Sequence, residues 1–96
     1  MINWVEFDPR IRTDRRYESL SPAEHRAWYN LLMFAAEQEE QGVLEWERNI
    51  LMAEAGLRDC GDLEKVKDRL SDLKIIQEGD NCIIFLDYLT RFGREE

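Results

Sequence analysis

The fold of this chain is decided by residues 62–86, which read DLEKVKDRLSDLKIIQEGDNCIIFL. The first half has apolar residues at the three- and four-residue spacing of a helix with one buried face: Leu63, Val66, Leu70 and Leu73. The second half has β-rich segments at 75–78 and 82–86, separated by the turn sequence Gly79, Asp80, Asn81. The stretch therefore predicts a helix over about residues 62–74 that is followed directly by a β-hairpin.

A long helix is predicted upstream of this stretch. Ser21 can cap its start, Pro22 suits the first helical position, and Glu24 stands where a capping box requires it. The helix should run to about Glu40, just before a glycine. Its segment 27–36 is apolar on nearly every side, so we expect it to be covered on more than one face. Either the N-terminal residues or a second subunit would provide that cover.

Between the long helix and the hairpin stretch, the sequence predicts a short strand at 43–46 and a helix over about 47–55 that ends at Gly56. Residues 57–61 are predicted to form a turn. The resulting order is helix, strand, helix, turn, helix and hairpin. This is the order of a winged helix-turn-helix, an α+β and mostly helical fold with a three-helix core, a short strand and a C-terminal hairpin wing.

The whole chain, residues 1–96, is expected to form one domain. Its 96 residues, 44% hydrophobic and 35% charged, suit a single folded globule with one core. Residues 1–20 are predicted to form an N-terminal strand and an arm with a basic centre. Residues 21–86 form the winged-helix core, and residues 87–96 form a C-terminal tail.

Composition excludes several classes of protein. The net charge of −8 argues against a protein that coats nucleic acid by bulk attraction. No signal peptide or bilayer-length apolar stretch is present, so a cytoplasmic location without membrane contact is expected. Cys60 and Cys82 form no CxxC pair and the chain has one histidine, so neither a metal site nor a cofactor is expected.

Catalytic motifs are absent from the sequence. The many carboxylates are not accompanied by HExxH, GxSxG, P-loop or DxDxDG spacing, and they are best interpreted as solubilising charge. We therefore expect a protein that is not an enzyme and has no small-molecule substrate.

Two local basic patches are candidate DNA contacts. One lies in the N-terminal arm and the other on the last helix, and together they comprise Arg10, Arg12, Arg15, Arg16, Lys65, Lys67 and Arg69. Each patch has an alternative interpretation. Asp8, Asp14 and Glu18 can pair with the arginines within the chain. Carboxylates at the start of the last helix and in the hairpin turn would repel phosphate and leave a solvated helix face.

Large aromatic residues are candidates for self-association, because the long helix needs cover on a second face. They are Trp4, Phe7, Trp28 and Phe34. The alternative is that Trp28 and Phe34 belong to the core, which is the usual place for aromatics at helical spacing in an apolar run. A homo-oligomer is expected if the N-terminal residues do not cover that face alone.

A family resemblance is carried by a set of mostly apolar positions along the chain. These are Trp4, Phe7, Ile11, Tyr29, Leu31, Leu32, Ala35, Ala36, Gly42, Val43, Leu44, Val66, Leu70, Leu73, Ile75, Ile76, Asp80 and Ile83. The pattern resembles the N-terminal winged-helix domain of phage replisome organiser proteins, which are related to DnaD-type primosomal proteins. The resemblance implies a role in DNA replication initiation, with DNA binding, self-association and replication-protein partners. Two alternatives remain: a protein-interaction or dimerisation winged helix with little DNA affinity, and a small transcriptional regulator.

Overall fold

In the computed structural model, residues 13–86 are described, and they form four helices and three strands. The helices are α1 (Arg15–Glu18), α2 (Pro22–Ala36), α3 (Arg48–Ala55) and α4 (Cys60–Asp72). The strands are β1 (Val43–Glu45), β2 (Ile76–Gly79) and β3 (Cys82–Phe85), which form one antiparallel sheet in the order β1-β3-β2. The chain is thus α+β and mostly helical, as the sequence predicts.

Helix α2 begins as predicted but ends earlier. The capping box is formed: Ser21 Oγ accepts the Glu24 backbone N–H, and Glu24 Oε1 accepts the Ser21 backbone N–H at 2.8 Å. The predicted end at Glu40 is wrong, because the helix stops at Ala36. The next residues include three glutamates, whose charges are unfavourable at the negative end of a helix dipole. Gly42, with φ 90°, then turns the chain into β1.

Helix α4 begins two residues before the predicted start. Asp59, which was assigned to a turn, caps the helix: its Oδ1 accepts the Gly61 backbone N–H at 2.6 Å. The predicted inward face is confirmed, since Leu63, Val66 and Leu70 are buried and Leu73 packs partly buried against the core.

Helices α3 and α4 end in the same type of turn. In each, a left-handed residue and its successor donate their backbone N–H groups to carbonyls of the last helical turn. After α3 the left-handed residue is Gly56, with φ 76°. After α4 it is Lys74, with φ 63°, a conformation that a lysine adopts at a cost. The second turn leads directly into the hairpin.

The predicted arm contains a short helix, α1, that the sequence did not predict. Asp14 Oδ1 accepts the Arg16 backbone N–H at 2.9 Å and starts α1, whose Tyr17 is 2% exposed. Leu20, just after α1, is also buried. These two apolar side chains fix this segment to the core. The predicted N-terminal strand and the tail at 87–96 lie outside the described residues.

The hairpin is formed where the sequence predicts it. Ile76 pairs with Phe85 and Gly79 with Cys82, so Asp80 and Asn81 make the two-residue turn, with Asn81 at φ 54°. Strand β1 lies on the other side of β3. The buried side chains of the sheet and of α2, α3 and α4 meet in one core.

Candidate nucleic-acid and protein-interaction surfaces

The solvent face of α4 is acidic. Burial of Leu63 and Leu70 fixes the rotation of the helix, and the exposed positions then fall on Asp62, Lys65, Asp68 and Asp72. Glu78 and Asp80 of the hairpin are exposed as well. We call these six residues the α4–hairpin surface. Five of its six charges are negative, so it repels phosphate rather than attracting it.

Lys67 is bound within the protein. Its Nζ lies 3.2 Å from Glu64 Oε1 and 3.4 Å from Glu78 Oε1, so it links α4 to β2. The same ammonium group lies 4.9 Å from the ring centroid of Trp46, at cation–π distance. Only 18% of the Lys67 side chain is exposed. The lysine therefore bridges two carboxylates and covers an aromatic ring.

The pKa of Lys67 reflects this environment. Partial burial lowers the pKa, but the hydrogen bonds and negative charges of Glu64 and Glu78 outweigh the burial and raise it above its usual value. Lys67 is consequently charged at physiological pH. Its charge is used to hold α4 against the hairpin.

Two further basic candidates have carboxylate partners. Arg69 Nε lies 3.7 Å from Glu24 Oε1, and one of its terminal nitrogens donates to the Ser19 carbonyl at 3.0 Å. Arg16 donates to both carboxylate oxygens of Asp14, at 3.2 and 3.0 Å. It also donates to a backbone carbonyl at the end of α4, at 3.1 Å. The prediction that acidic neighbours pair with the arginines is thus met at Asp14.

Arg15 and Lys65 are the exposed basic candidates that have no ion-pair partner in the described part of the chain. Arg15 lies at the start of α1 and Lys65 lies on α4, and the structure shows no contact between them. Arg10 and Arg12 lie outside the described residues. The five candidate DNA contacts that lie within residues 13–86 therefore do not form one continuous free basic patch.

The structure describes two of the four aromatic candidates for self-association, Trp28 and Phe34. Trp28 is 6% exposed and its ring centroid lies 5.0 Å from that of Tyr17, so it has little surface to offer a second subunit. Phe34 is only partly buried and lines a groove. Trp4 and Phe7 lie outside the described residues.

A groove of about 410 Å³ lies between the end of α2, strand β1 and the start of α3. Its apolar lining includes Ile50, a large hydrophobic residue that is 50% exposed. The lining residues fall into an apolar group, Phe34, Val43, Leu44, Ile50 and Leu51, and an acidic group, Glu39, Glu40, Glu45 and Glu47. Sequence reasoning missed this groove, because it took the carboxylates for scattered surface charge. An exposed isoleucine beside glutamates was the available signal.

Residues 13–86 contain no group of three or more metal-ligating side chains, and none of the described helices has the length and apolar character that crossing a bilayer requires. Comparison of the chain with protein-family models, with curated proteins and with solved structures finds no match. The function is therefore inferred from the surfaces of residues 13–86.

Proposed function

We propose that residues 21–86 form a winged helix-turn-helix domain. Three features support this assignment. Helices α2, α3 and α4 pack around one core, β1 is inserted between α2 and α3, and the β2–β3 hairpin follows α4 directly. The strand order β1-β3-β2 places β1 beside the hairpin as its third strand. In a domain of this type α4 would be the helix that faces the major groove, and the hairpin would be the wing.

We further propose that the domain acts through protein contacts, as an assembly module in DNA replication initiation, rather than by reading DNA. Replication is suggested by the resemblance to phage replisome organisers. The choice of protein contacts over DNA rests on one observation: Lys67, the basic residue best placed between α4 and the wing, is held by two glutamates and Trp46.

Electrostatics supports that choice. Non-specific affinity for duplex DNA grows with the number of phosphates that lysines and arginines neutralise. The α4–hairpin surface offers Lys65 alone, against five carboxylates. Lys67 could reach a phosphate only by giving up its contacts with both glutamates, and of these Glu78 has no other ion-pair partner among residues 13–86. The same surface also disfavours a transcriptional regulator, which would need α4 to contact base edges.

DNA binding by the N-terminal arm is the second candidate function. It is favoured by Arg15, which is exposed and has no ion-pair partner among the described residues. With Arg10 and Arg12 it would supply a short run of phosphate contacts that does not involve α4.

Fluorescence anisotropy of a labelled 20-base-pair duplex, titrated at several salt concentrations, tests these alternatives. The proposal predicts that binding at physiological salt is weaker than a Kd of about 10⁻⁴ M, the weak end of non-specific affinity. Arm binding would appear as tighter binding that Arg15→Ala weakens and Lys65→Ala leaves unchanged. If Lys65→Ala instead lowers the salt slope by about 1, α4 contacts phosphate and the proposal is overturned.

A further inference from the structure

We infer that the groove between α2, β1 and α3 binds an extended segment of a partner protein, one that carries a large apolar side chain between lysines or arginines. The inference deepens the proposed function, on which it rests, by giving the chemistry of the partner. Three independent features of the groove specify that partner: its apolar lining, the outer edge of β1, with which no strand of residues 13–86 pairs, and its four glutamates.

The apolar lining favours a partner with a large apolar side chain, its anchor, that inserts into the groove. Phe34 and Val43 are half-buried, and Ile50 exposes half of its surface although large hydrophobic residues are otherwise mostly covered in this domain. A volume of about 410 Å³ holds a few side chains and lies within the range of ligand pockets. One leucine- or phenylalanine-sized side chain with its neighbours would fill it and remove this surface from water.

The outer edge of β1 favours a partner segment with an extended backbone. The Gly42 carbonyl accepts the Phe85 N–H of β3, and the Trp46 N–H donates to the carbonyl of Asn81 just before β3, at 2.9 Å each. In an antiparallel ladder the backbone groups of alternate residues point to opposite edges, so Val43 and Glu45 direct theirs away from β3. This outer edge belongs to residues that line the groove.

Half of the outer edge is already satisfied within the chain. The Val43 N–H donates to the Glu40 carbonyl at 3.2 Å, and the Glu45 carbonyl accepts the Glu47 N–H at 2.9 Å. The Val43 carbonyl and the Glu45 N–H have no hydrogen-bond partner among residues 13–86. A single residue of a strand running parallel to β1 can donate to the first group and accept from the second.

The four glutamates favour a partner segment that carries positive charge. Glu39 and Glu40 lie before β1, while Glu45 and Glu47 lie at its far end. None of the four has an ion-pair partner in the described part of the chain. An incoming segment with basic residues on both sides of its apolar anchor would meet opposite charge at both ends of the strand.

This chemistry favours a partner protein over the other occupants. DNA and RNA would bring phosphates to four carboxylates. A second copy of this chain carries the same net charge of −8 and would oppose it. A basic segment of another protein gains both charge attraction and apolar burial.

A labelled nine-residue peptide with one central leucine and lysines on both sides of it serves as the probe, with binding followed by anisotropy at low salt. We expect saturable binding that salt weakens. Replacing the leucine by serine should weaken it about 10-fold or more. A peptide with glutamates in place of the lysines should not bind. Methylating the peptide nitrogens one at a time should weaken binding about 3–10-fold at a single position, the one that donates to Val43.

Matched protein variants place the peptide in the groove. Ile50→Ser should weaken binding about 10-fold, whereas Leu86→Ser, which alters another exposed hydrophobic residue, should not. Glu45→Gln and Glu47→Gln should each weaken it about 2–5-fold, and Glu54→Gln, an exposed glutamate of α3 outside the groove, should leave it unchanged. Circular dichroism shows whether each variant remains folded.

The inference is overturned by an absence of saturable peptide binding at low salt, or by equal losses in the groove variants and their controls. If Ile50→Ser instead reduces self-association in sedimentation while the peptide does not bind, the occupant is a second copy and not a basic partner. Duplex binding through α4 alongside groove-dependent peptide binding would overturn the proposed function and leave this inference standing. The reverse pattern would overturn the inference alone.

Discussion

Replacing Lys67 with alanine should destabilise the domain by about 1.5 kcal/mol, if the lysine holds α4 against the hairpin as its contacts indicate. Each contact with a carboxylate is partly open to solvent, because the Glu64 and Glu78 side chains are 41% and 46% exposed. Such pairs contribute about 0.5 kcal/mol each. The contact with the Trp46 ring at 4.9 Å adds roughly 0.5–1 kcal/mol.

Urea denaturation followed by tryptophan fluorescence measures the effect, and Lys65→Ala is the matched control. Both lysines lie inside α4, so the gain in helix propensity on changing to alanine is the same for both. Lys65 is exposed without an ion-pair partner among residues 13–86, and its replacement should change stability by less than about 0.5 kcal/mol. Thermal melting should show a Tm lower by roughly 6–12 °C for Lys67→Ala alone.

Equal effects of the two substitutions on stability would refute the reasoning, because Lys67 would then be as available for DNA as Lys65.

The pH dependence of stability provides a second check on the role of Lys67. The pKa of Lys67 is raised in the folded state, so its stabilising contribution is complete at neutral pH. That contribution should be lost as the pH rises through the folded pKa, above the ordinary value of 10.5. The difference in stability between the wild type and Lys67→Ala should accordingly narrow in strongly alkaline solution.

Three other variants test separate parts of the structure. Lys74→Gly should stabilise the domain by about 0.5–1 kcal/mol in urea denaturation, because glycine takes the left-handed turn without strain, and Lys74→Ala should bring no such gain. Tyr17→Ala should destabilise the domain by about 3–5 kcal/mol, whereas Glu18→Ala, on the exposed side of α1, should have little effect. Equal effects of these two substitutions on stability would contradict the packing of α1 against the core. The double variant Asp62→Lys, Asp68→Lys should gain affinity for duplex DNA, with a salt slope of up to about 2. If it binds duplex no better than the double variant Asp62→Asn, Asp68→Asn, acidity is not what keeps α4 off DNA.

Local signals in the sequence were sufficient for most elements. The capping box at Ser21 and Glu24, the helical spacing of the α4 leucines and the turn at Asp80 and Asn81 each act within a few residues, and each appears in the structure. Element ends were less predictable, because Asp59 competes with Asp62 as a cap and the sequence does not show which one bonds.

Long-range pairings could not be predicted from the sequence. The fixation of α1 depends on the packing of Tyr17 against Trp28 of α2 and on the hydrogen bond from Arg16 to the Lys74 carbonyl, 58 positions away. The role of Lys67 depends on Glu78, eleven positions away on β2, and on Trp46, which comes before α3. Lys67 therefore resembled a surface cation in the sequence, and only the packing of α4 on the hairpin shows that its charge is used internally.

The central claim is that the outer face of α4 does not contact DNA. Two-dimensional ¹⁵N–¹H NMR spectra of the domain, recorded while a short duplex is added at low salt, test it residue by residue. If this face leaves DNA unbound, amide signals from 60–72 and 76–85 should stay in place as duplex is added. A set of α4 and hairpin signals that shift together and reach saturation would contradict it.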